Sequence, residues 1–297
     1  MNGEASRSVR PAPDTLFLHV REHGEGTRLA LSRGTVVLSR LEGGRGAIRA
    51  LAPSVKYVLE GEEVYRIDGR TRRVRAGEFL LVEAGADFEV RTPRPDATIG
   101  LCVYLGAAEG DAPARHEPFG RVLGGGPGEP LSALLGRYAR LLARRPAAGP
   151  ALARRIVREA TVGAEDYLAA FANRLDRLGA LKRSTRIETL QRIERARGFI
   201  HASAGRAISL EEVAGEAALS RFHLSRSFAE VFGLPPLAYH RRLRLDAAAR
   251  LLRADAASAT EIADRLGYAS LSAFTRAFRQ QFGVPPSAAR NAYSPGR

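Results

Sequence analysis

Seven side chains in two short stretches of the C-terminal region have the chemistry needed to recognise base pairs in double-stranded DNA. An arginine guanidinium can donate two parallel hydrogen bonds to guanine, a hydroxyl can bond to a base or a phosphate, and an apolar group can contact a thymine methyl. Such groups act together only if a rigid element presents them on one surface. The candidate DNA-binding residues are Phe222, Ser225, Arg226, Ser272, Thr275, Arg276 and Arg279.

Helical periodicity brings these side chains together. At about 100° per residue, Phe222, Ser225 and Arg226 cluster on one face of a helix, and the second stretch behaves in the same way. The opposite face of each helix is apolar, so we expect it to enter a core. The residues expected to face inward are Leu224, Phe228 and Phe232 in the first stretch and Phe274, Phe278 and Phe282 in the second.

The two stretches belong to an internal repeat with a period near 50 residues. Each copy opens with a capping box, which starts at Ser209 in the first copy and at Ser258 in the second. After a turn, Ser220 or Ser270 is placed to cap another helix, and the second turn is one residue longer. Helix, short turn and helix is the plan of DNA-binding units whose second helix enters the major groove.

A predicted helix at 237–253 separates the copies, with Leu243, Ala247, Leu251 and Leu252 on its apolar side. Such a rod would hold two reading helices about one DNA turn apart, roughly 34 Å, on one face of the duplex. Residues 182–297 contain about 19 Lys and Arg against about 10 Asp and Glu, which favours a polyanionic partner. A helical bundle that binds another protein is the alternative interpretation.

Several segments of this region carry a resemblance to a known family. They are Leu-Ser-Arg-Phe-His-Leu-Ser-Arg-Ser-Phe at 219–228, Arg-Leu-Arg-Leu-Asp-Ala-Ala-Ala-Arg-Leu-Leu at 242–252, Glu-Ile-Ala-Asp-Arg-Leu-Gly-Tyr at 261–268, Phe-Thr-Arg-Ala-Phe-Arg at 274–279 and Phe-Gly-Val-Pro-Pro-Ser at 282–287. In them the sequence resembles the AraC/XylS family of bacterial transcription regulators, over about 184–290.

The resemblance implies base reading by side chains that the helical wheel also places outward, namely Phe222, Ser225, Arg226, Ser272, Thr275 and Arg276. Arg221 stands where a small residue or proline is expected after the cap, and Phe222 is large and apolar at a base-reading position. The operator sequence is therefore not transferable from the family.

The N-terminal region alternates short β-branched or aromatic runs with glycine turns, which predicts a small β-barrel or sandwich. Asp68-Gly69 between alternating runs predicts a tight hairpin. The family resemblance implies a cupin-like β-barrel that senses a small molecule, followed by helices that dimerise. We therefore expect an α+β multidomain protein, with a cupin-like β sensor domain at 14–105, a Gly/Pro-rich loop at 106–130, a helical linker or dimerisation segment at 131–181, and an all-α DNA-binding domain with two helix-turn-helix motifs at 184–290.

The predicted linker helix at 151–181 carries an apolar stripe. Its members fall at three- and four-residue steps or their multiples, and they are Leu152, Ile156, Ala160, Tyr167, Phe171, Leu175 and Leu178. The stripe could pack into the core of its own chain or against the same helix of a second subunit, and the pattern leaves both open.

Catalytic or metal-binding motifs do not emerge from the sequence. A metal cupin supplies a compact set of histidines and a glutamate, whereas the β region offers only His19 and His23, and His116 falls in the loop. Cys102 is the single cysteine, which excludes an intrachain disulfide. We expect no enzymatic activity, no cofactor and no metal. The alternatives are a ligand-independent DNA-binding protein and a metal-binding cupin enzyme fused to a DNA-binding domain.

Composition agrees with a DNA-binding regulator. The formal net charge is +14, carried almost entirely by arginine, because Lys56 and Lys182 are the only lysines. The sequence contains neither an apolar run long enough for a membrane span nor a signal-peptide pattern, which predicts a cytoplasmic protein without membrane partners. The expected partners are double-stranded DNA, an unidentified small-molecule effector, a second copy of the chain as a homodimer and RNA polymerase, with an activator as one regulatory outcome.

Overall fold

The computed structural model describes residues 17–20, 28–31, 33–41, 43–67, 69–93, 97–106, 122–145, 149–179, 182–254 and 257–291. The chain divides into two compact units, Met1–Asn173 and Arg174–Arg297. Within the described ranges, no helix is long and apolar enough to cross a membrane.

Strands dominate the first unit. They are β1 Phe17–Val20, β2 Arg28–Leu31, β3 Val36–Leu41, β4 Gly44–Ala50, β5 Ser54–Glu60, β6 Glu62–Ile67, β7 Arg70–Arg75, β8 Phe79–Val82, β9 Asp87–Thr92, β10 Thr98–Tyr104 and β11 Val122–Gly125. The helices are α1 Pro130–Arg144, α2 Pro150–Arg177, α3 Arg183–Ala202, α4 Leu210–Ala217, α5 Arg221–Phe232, α6 Pro236–Arg253, α7 Ala259–Arg265, α8 Leu271–Phe282 and α9 Pro286–Asn291.

The described strands form two sheets instead of the expected cupin-like β-barrel. One sheet has the order β1-β3-β10-β5-β8-β11, and the other has the order β2-β4-β9-β6-β7. A barrel requires a sheet to close on itself, and in the described part of the chain no ladder of paired strands joins the two sheets. The N-terminal region is therefore β-rich, as expected, but it has no closed barrel.

Both sheets contribute to one apolar core. Val58, Val82 and Tyr104 come from the six-stranded sheet, and Tyr65 and Phe88 come from the five-stranded sheet. The tight hairpin is confirmed, since β6 pairs antiparallel with β7 and Ile67 lies opposite Arg70. Gly69, the second residue of the turn, has a φ of 73°, which glycine adopts without the penalty that a Cβ atom brings.

Part of the expected Gly/Pro-rich loop at 106–130 is a strand. β11 pairs antiparallel with β8, and Gly125 lies opposite Phe79. A Cβ atom built on Gly125 would lie 2.3 Å from Cζ of Phe79, so glycine is present there because the ring packs against the backbone. Composition alone had favoured a flexible segment. Residues 107–121 of that range lie outside the described residues.

The apolar stripe of α2 is buried within a single chain. Six of its seven members are buried and Leu152 is half-buried. The Tyr167 hydroxyl donates to the Gly124 carbonyl at 2.7 Å, and the Tyr167 ring meets the Phe79 ring edge-on at 5.1 Å. Of the two interpretations of the stripe, core packing is therefore the one that the structure supports.

Candidate nucleic-acid interface

Two helix pairs, α4–α5 and α7–α8, contain the candidate DNA-binding residues, and their caps form as predicted. The Ser209 hydroxyl accepts from the Glu212 amide at 3.1 Å, while the Glu212 carboxylate accepts from the Ser209 amide at 2.7 Å. Ser258 and Glu261 repeat this capping box at 3.2 Å and 2.6 Å. Both boxes satisfy backbone donors that a helix leaves unpaired at its N-terminus.

The second helix of each pair is also bounded as predicted. The Ser220 hydroxyl accepts from the His223 amide at 3.2 Å, and the Ser270 hydroxyl accepts from the Ala273 amide at 3.1 Å. At the other end, Gly233 closes α5 and Gly283 closes α8, each with a φ of 76°. Glycine adopts this left-handed conformation without the steric penalty that a Cβ atom brings.

The turn inside each pair contains one residue with left-handed backbone, and the two copies differ in which residue occupies it. In the first pair it is Ala218, with a φ of 51°; in the second it is Gly267, with a φ of 68°. The next residue in both copies donates its amide to the preceding helix, Leu219 to Ala214 at 3.1 Å and Tyr268 to Ala263 at 2.9 Å. The positions are therefore equivalent, but only the first imposes strain on an L side chain.

We predict opposite effects for two reciprocal substitutions at this position. Ala218→Gly should raise the free energy of unfolding by about 0.5–1 kcal/mol, because relief of the left-handed penalty exceeds the added chain entropy. Gly267→Ala should lower it by about 1–2 kcal/mol, since the new Cβ would be both strained and 3.4 Å from the Ala207 nitrogen. Chemical denaturation of both variants measures the difference. Shifts of the same sign would contradict the assignment of strain to Ala218.

In the first pair, α5 separates an apolar face from an exposed face. Leu224 and Phe228 are fully buried, and Phe232 is half-buried, so the inward prediction is confirmed for two of three residues. On the other side Phe222 is 78% exposed, Arg226 is exposed and Ser225 is half-buried. The exposure of Phe222 is unusual for an aromatic side chain, which normally buries its ring.

The second pair repeats the arrangement in α8. Phe274 and Phe278 are buried, and Phe282 is half-buried. The exposed or half-buried candidates on the other side are Ser272, Thr275, Arg276 and Arg279. The structure therefore leaves all seven predicted side chains at least partly accessible to a ligand, three of them on α5 and four on α8.

The two exposed faces differ in how their arginines are held. On α5, Arg226 Nε lies 3.0 Å from Glu230, one helical turn away. Arg221 lies 2.6 Å from Glu211, and this guanidinium together with the Glu211 amide lowers the pKa of the Glu211 carboxyl. In the described part of the chain, Arg276 and Arg279 of α8 have no ion-pair partner. The α8 face consequently offers two free guanidinium groups, whereas the arginines of α5 are partly neutralised.

The sequence prediction missed the arginines that brace the end of the first helix in each pair. Arg192 and Arg195 of α3 donate to the carbonyls of Ala218 and Ala217, at 2.9 Å and 3.4 Å. Arg244 of α6 donates to the Leu266 carbonyl. The sequence does indicate that Arg195 and Arg244 are equivalent, because they lie at the same distance before Ser209 and Ser258. The internal repeat thus extends into the long helices.

The first unit holds a buried polar cluster between its sheets, which the sequence did not suggest. Lys56 is 3% exposed and donates to Cys102 Sγ at 2.6 Å and to the Tyr104 hydroxyl at 3.0 Å. Glu63 accepts from the Tyr65 hydroxyl. Burial raises the pKa of both the Glu63 carboxyl and the Cys102 thiol.

An open groove of about 390 Å³ lies on the outer face of the five-stranded sheet, on the side of β6 that carries Val64 and Arg66 and opposite the buried Tyr65. Thr71, Glu89 and Arg91 also line it. As to metals, the described residues contain no group of three or more His, Cys, Asp or Glu side chains able to hold an ion. His23 and His116 lie outside the described residues, and only the backbone of His19 is described, in β1.

Comparisons with known proteins concentrate on the second unit. A family model described as a helix-turn-helix domain matches residues 213–292. An AraC-like transcription regulator of Streptomyces lividans is 38% identical over 87 residues, covering 29% of this chain and 29% of the relative. The RCS-specific HTH-type transcriptional activator RclR of Escherichia coli is 38% identical over 82 residues, covering 28% of this chain and 29% of the relative. The chain thus matches less than a third of the length of these relatives.

Among solved structures, the DNA-binding domain of the global transcriptional factor AdpA, in complex with a target DNA, is 31% identical to the matched part of this chain. That match covers 34% of this chain and 91% of the AdpA domain, with a TM-score of 0.33.

Proposed function

We propose that the protein is a sequence-specific, DNA-binding regulator of transcription of the AraC type, because residues 213–292 match a helix-turn-helix family model and the same region is similar to an AraC-like transcription regulator. The observation that carries the proposal is the repeated presentation of an arginine at one position of α5 and α8. Arg226 and Arg276 each lie six residues after the capping serine and are exposed above a buried phenylalanine face.

In this proposal both helix pairs act as helix-turn-helix units, with α5 and α8 in successive major grooves. Arg226 and Arg276 bond to guanine, Ser225, Ser272 and Thr275 bond to base edges or phosphates, and Arg279 contributes charge near the backbone. Phe222 supplies the apolar contact.

The test is selection of bound duplexes from random DNA by the purified full-length protein, at two salt concentrations. We expect a motif with two elements about one turn, roughly 10 bp, apart. Binding that is strongly salt-dependent and yields no motif would mean that the basic charge acts without sequence specificity, and would contradict the proposal. The Arg226→Ala, Arg276→Ala double variant serves as the control, since it should retain its fold but lose enrichment of the motif.

Phe222 allows a prediction at the level of a single methyl group. Because its ring is exposed and its side chain can offer only apolar contact, we expect it to meet the C5 methyl of a thymine. Replacing that thymine by deoxyuridine should weaken binding by about 0.8 kcal/mol, roughly fourfold, by loss of one buried methyl group. Phe222→Ala should bind both duplexes equally, whereas Arg226→Ala should remain sensitive to the methyl. Titration of the wild type and the two variants against both duplexes measures this coupling, and equal sensitivity in both variants would contradict the contact.

We also propose that the β-rich unit binds a small-molecule effector. The groove of about 390 Å³ on the outer face of the five-stranded sheet is the proposed site, because it is large enough for a small molecule. Arg66 and Arg91 can bond to an acidic group of an effector, and Glu89, which lies opposite Arg66, can accept from a donor group of the same molecule. Binding would act by shifting the population between states with different operator affinity.

A thermal-shift screen of small organic acids tests the sensor role. A saturable stabilisation that Arg66→Ala or Arg91→Ala abolishes would support it, and a broad screen without any shift would favour the ligand-independent alternative. A homodimer remains part of the proposal. Because the α2 stripe is buried in its own chain, subunit contact would have to use another surface.

A further inference from the structure

The long helix before each helix pair sends an arginine to the same carbonyl of that pair. Arg195 of α3 lies 14 residues before Ser209, and Arg244 of α6 lies 14 residues before Ser258. Arg195 Nη2 donates to the Ala217 carbonyl at 3.4 Å, and Arg244 Nη2 donates to the Leu266 carbonyl. The arginines are therefore equivalent members of the internal repeat.

The acceptor lies at the point where the chain leaves the first helix. Ala217 and Leu266 each precede the residue with left-handed backbone that starts the turn. The last carbonyls of a helix have no partner within the helix, so a guanidinium from a neighbouring helix satisfies one of them. The same bond ties the turn to the long helix.

In the second pair this bond continues through stacked rings. The Arg244 guanidinium carbon lies 4.4 Å from the centroid of the Tyr268 ring, and Tyr268 meets Phe274 edge-on at 5.3 Å. Phe274 is a fully buried residue of α8. A continuous series of contacts therefore runs from α6 through the turn to the helix that carries Thr275 and Arg276.

The first pair is built differently at this point. Leu219 stands where the second pair has Tyr268, so no ring is available for stacking. Arg192 adds a second bond, to the Ala218 carbonyl at 2.9 Å. The first turn thus has two arginine donors, and in the described structure of the second turn Arg244 is the one that donates to a turn carbonyl.

We propose that Arg244 is a positioning residue for DNA recognition, which sets the placement of α8 and therefore of Arg276 in the groove. The role rests on the proposed function. Arg244 is 8% exposed, so it acts through the turn and the ring of Tyr268 without contacting DNA. Supporting groups of this kind hold recognition side chains within about 0.5 Å of the productive position.

The test uses Arg244→Met in the full-length protein, because methionine fills similar space over Tyr268 without donors. Affinity is measured for the selected operator and for operators mutated in one element at a time. We expect discrimination at the α8 element to fall about tenfold, while discrimination at the α5 element is retained. Tyr268→Phe is the matched control, since the Tyr268 hydroxyl has no hydrogen-bond partner among the residues that the structure describes; it should preserve both.

If Arg244 only stabilised the fold, Arg244→Met would give a different result. Equal loss of affinity at both elements and on random DNA would overturn the proposal, as would unchanged discrimination at the α8 element. If Arg244→Met does not fold, Tyr268→Leu, which introduces the residue of the first pair, gives the same readout with the same expected loss. A wild-type protein without base discrimination would overturn the proposed function and this role with it, whereas the outcomes above bear on Arg244 alone.

Discussion

Arg226→Ala and Arg276→Ala are each expected to weaken binding to the selected operator by about 1–3 kcal/mol, roughly 5- to 150-fold, because each removes a forked donor to a base. Both side chains are exposed on their helices, so the fold should be unaffected. Fluorescence titration with the operator and with random DNA, at one salt concentration, gives the specific and nonspecific affinities.

The matched control is Arg158→Ala, which removes the same charge from an exposed position on α2 in the first unit. It should leave the ratio of specific to nonspecific affinity unchanged. The two reading arginines should also differ from each other, since Arg226 must exchange its contact with Glu230 for a base. Specific affinity that survives both alanine substitutions would remove the assignment of α5 and α8 to the grooves.

Phe278→Ala is expected to lower the free energy of unfolding of the second unit by about 3–5 kcal/mol. The side chain is 1% exposed and its ring contacts Phe274 at 5.6 Å and Phe282 at 4.6 Å between centroids. Truncation leaves a cavity in the cluster that holds α8 on α6 and α7. A loss of that size is a large part of the stability of an ordinary domain, about 5–15 kcal/mol.

Phe222→Ala is the control for this prediction, because the same chemical change occurs on a side chain that is 78% exposed. Its effect on stability should stay within about 0.5 kcal/mol. Urea unfolding followed by circular dichroism measures both variants. Equal destabilisation by the two substitutions would mean that Phe222 is buried in solution, and would remove it from the candidate DNA-binding face.

Features that depend only on neighbouring residues could be predicted from the sequence. The capping boxes at Ser209 and Ser258 require only an acceptor and a carboxylate three residues apart, and both form. The exposed faces of α5 and α8 follow from a helical period of 3.6 residues, which sorts Arg226 from Phe228 whatever packs against them. The hairpin at Gly69 likewise follows from local turn chemistry.

Features that depend on distant partners were decided by the tertiary structure. The predicted apolar side of the helix between the copies was incomplete. Leu252 is buried, and Ala247 and Leu251 pack against the same core while half-buried. The helix α6 also buries Leu245, Ala248 and Ala249, which the predicted side did not include. A helix that packs against several others has an apolar surface too broad for one stripe to describe it. Phe232 and Phe282 are the last residues of α5 and α8, and both are half-buried.

Dependence on distant contacts also explains why the sheet arrangement of the first unit and the role of Arg244 were not predicted. Alternation predicts strands, but the pairing that makes two sheets instead of a barrel depends on contacts far apart in sequence. The apolar stripe of α2 does not by itself identify the residues that cover it. Composition places Gly125 in a loop, and only the packing of Phe79 against its backbone explains why a strand residue there is glycine. The spacing of Arg195 and Arg244 before the two copies places them in the repeat, but it does not identify what they bond to. The acceptor of Arg244 lies 22 residues away, and only the packing of α6 against α7 brings the guanidinium to that carbonyl.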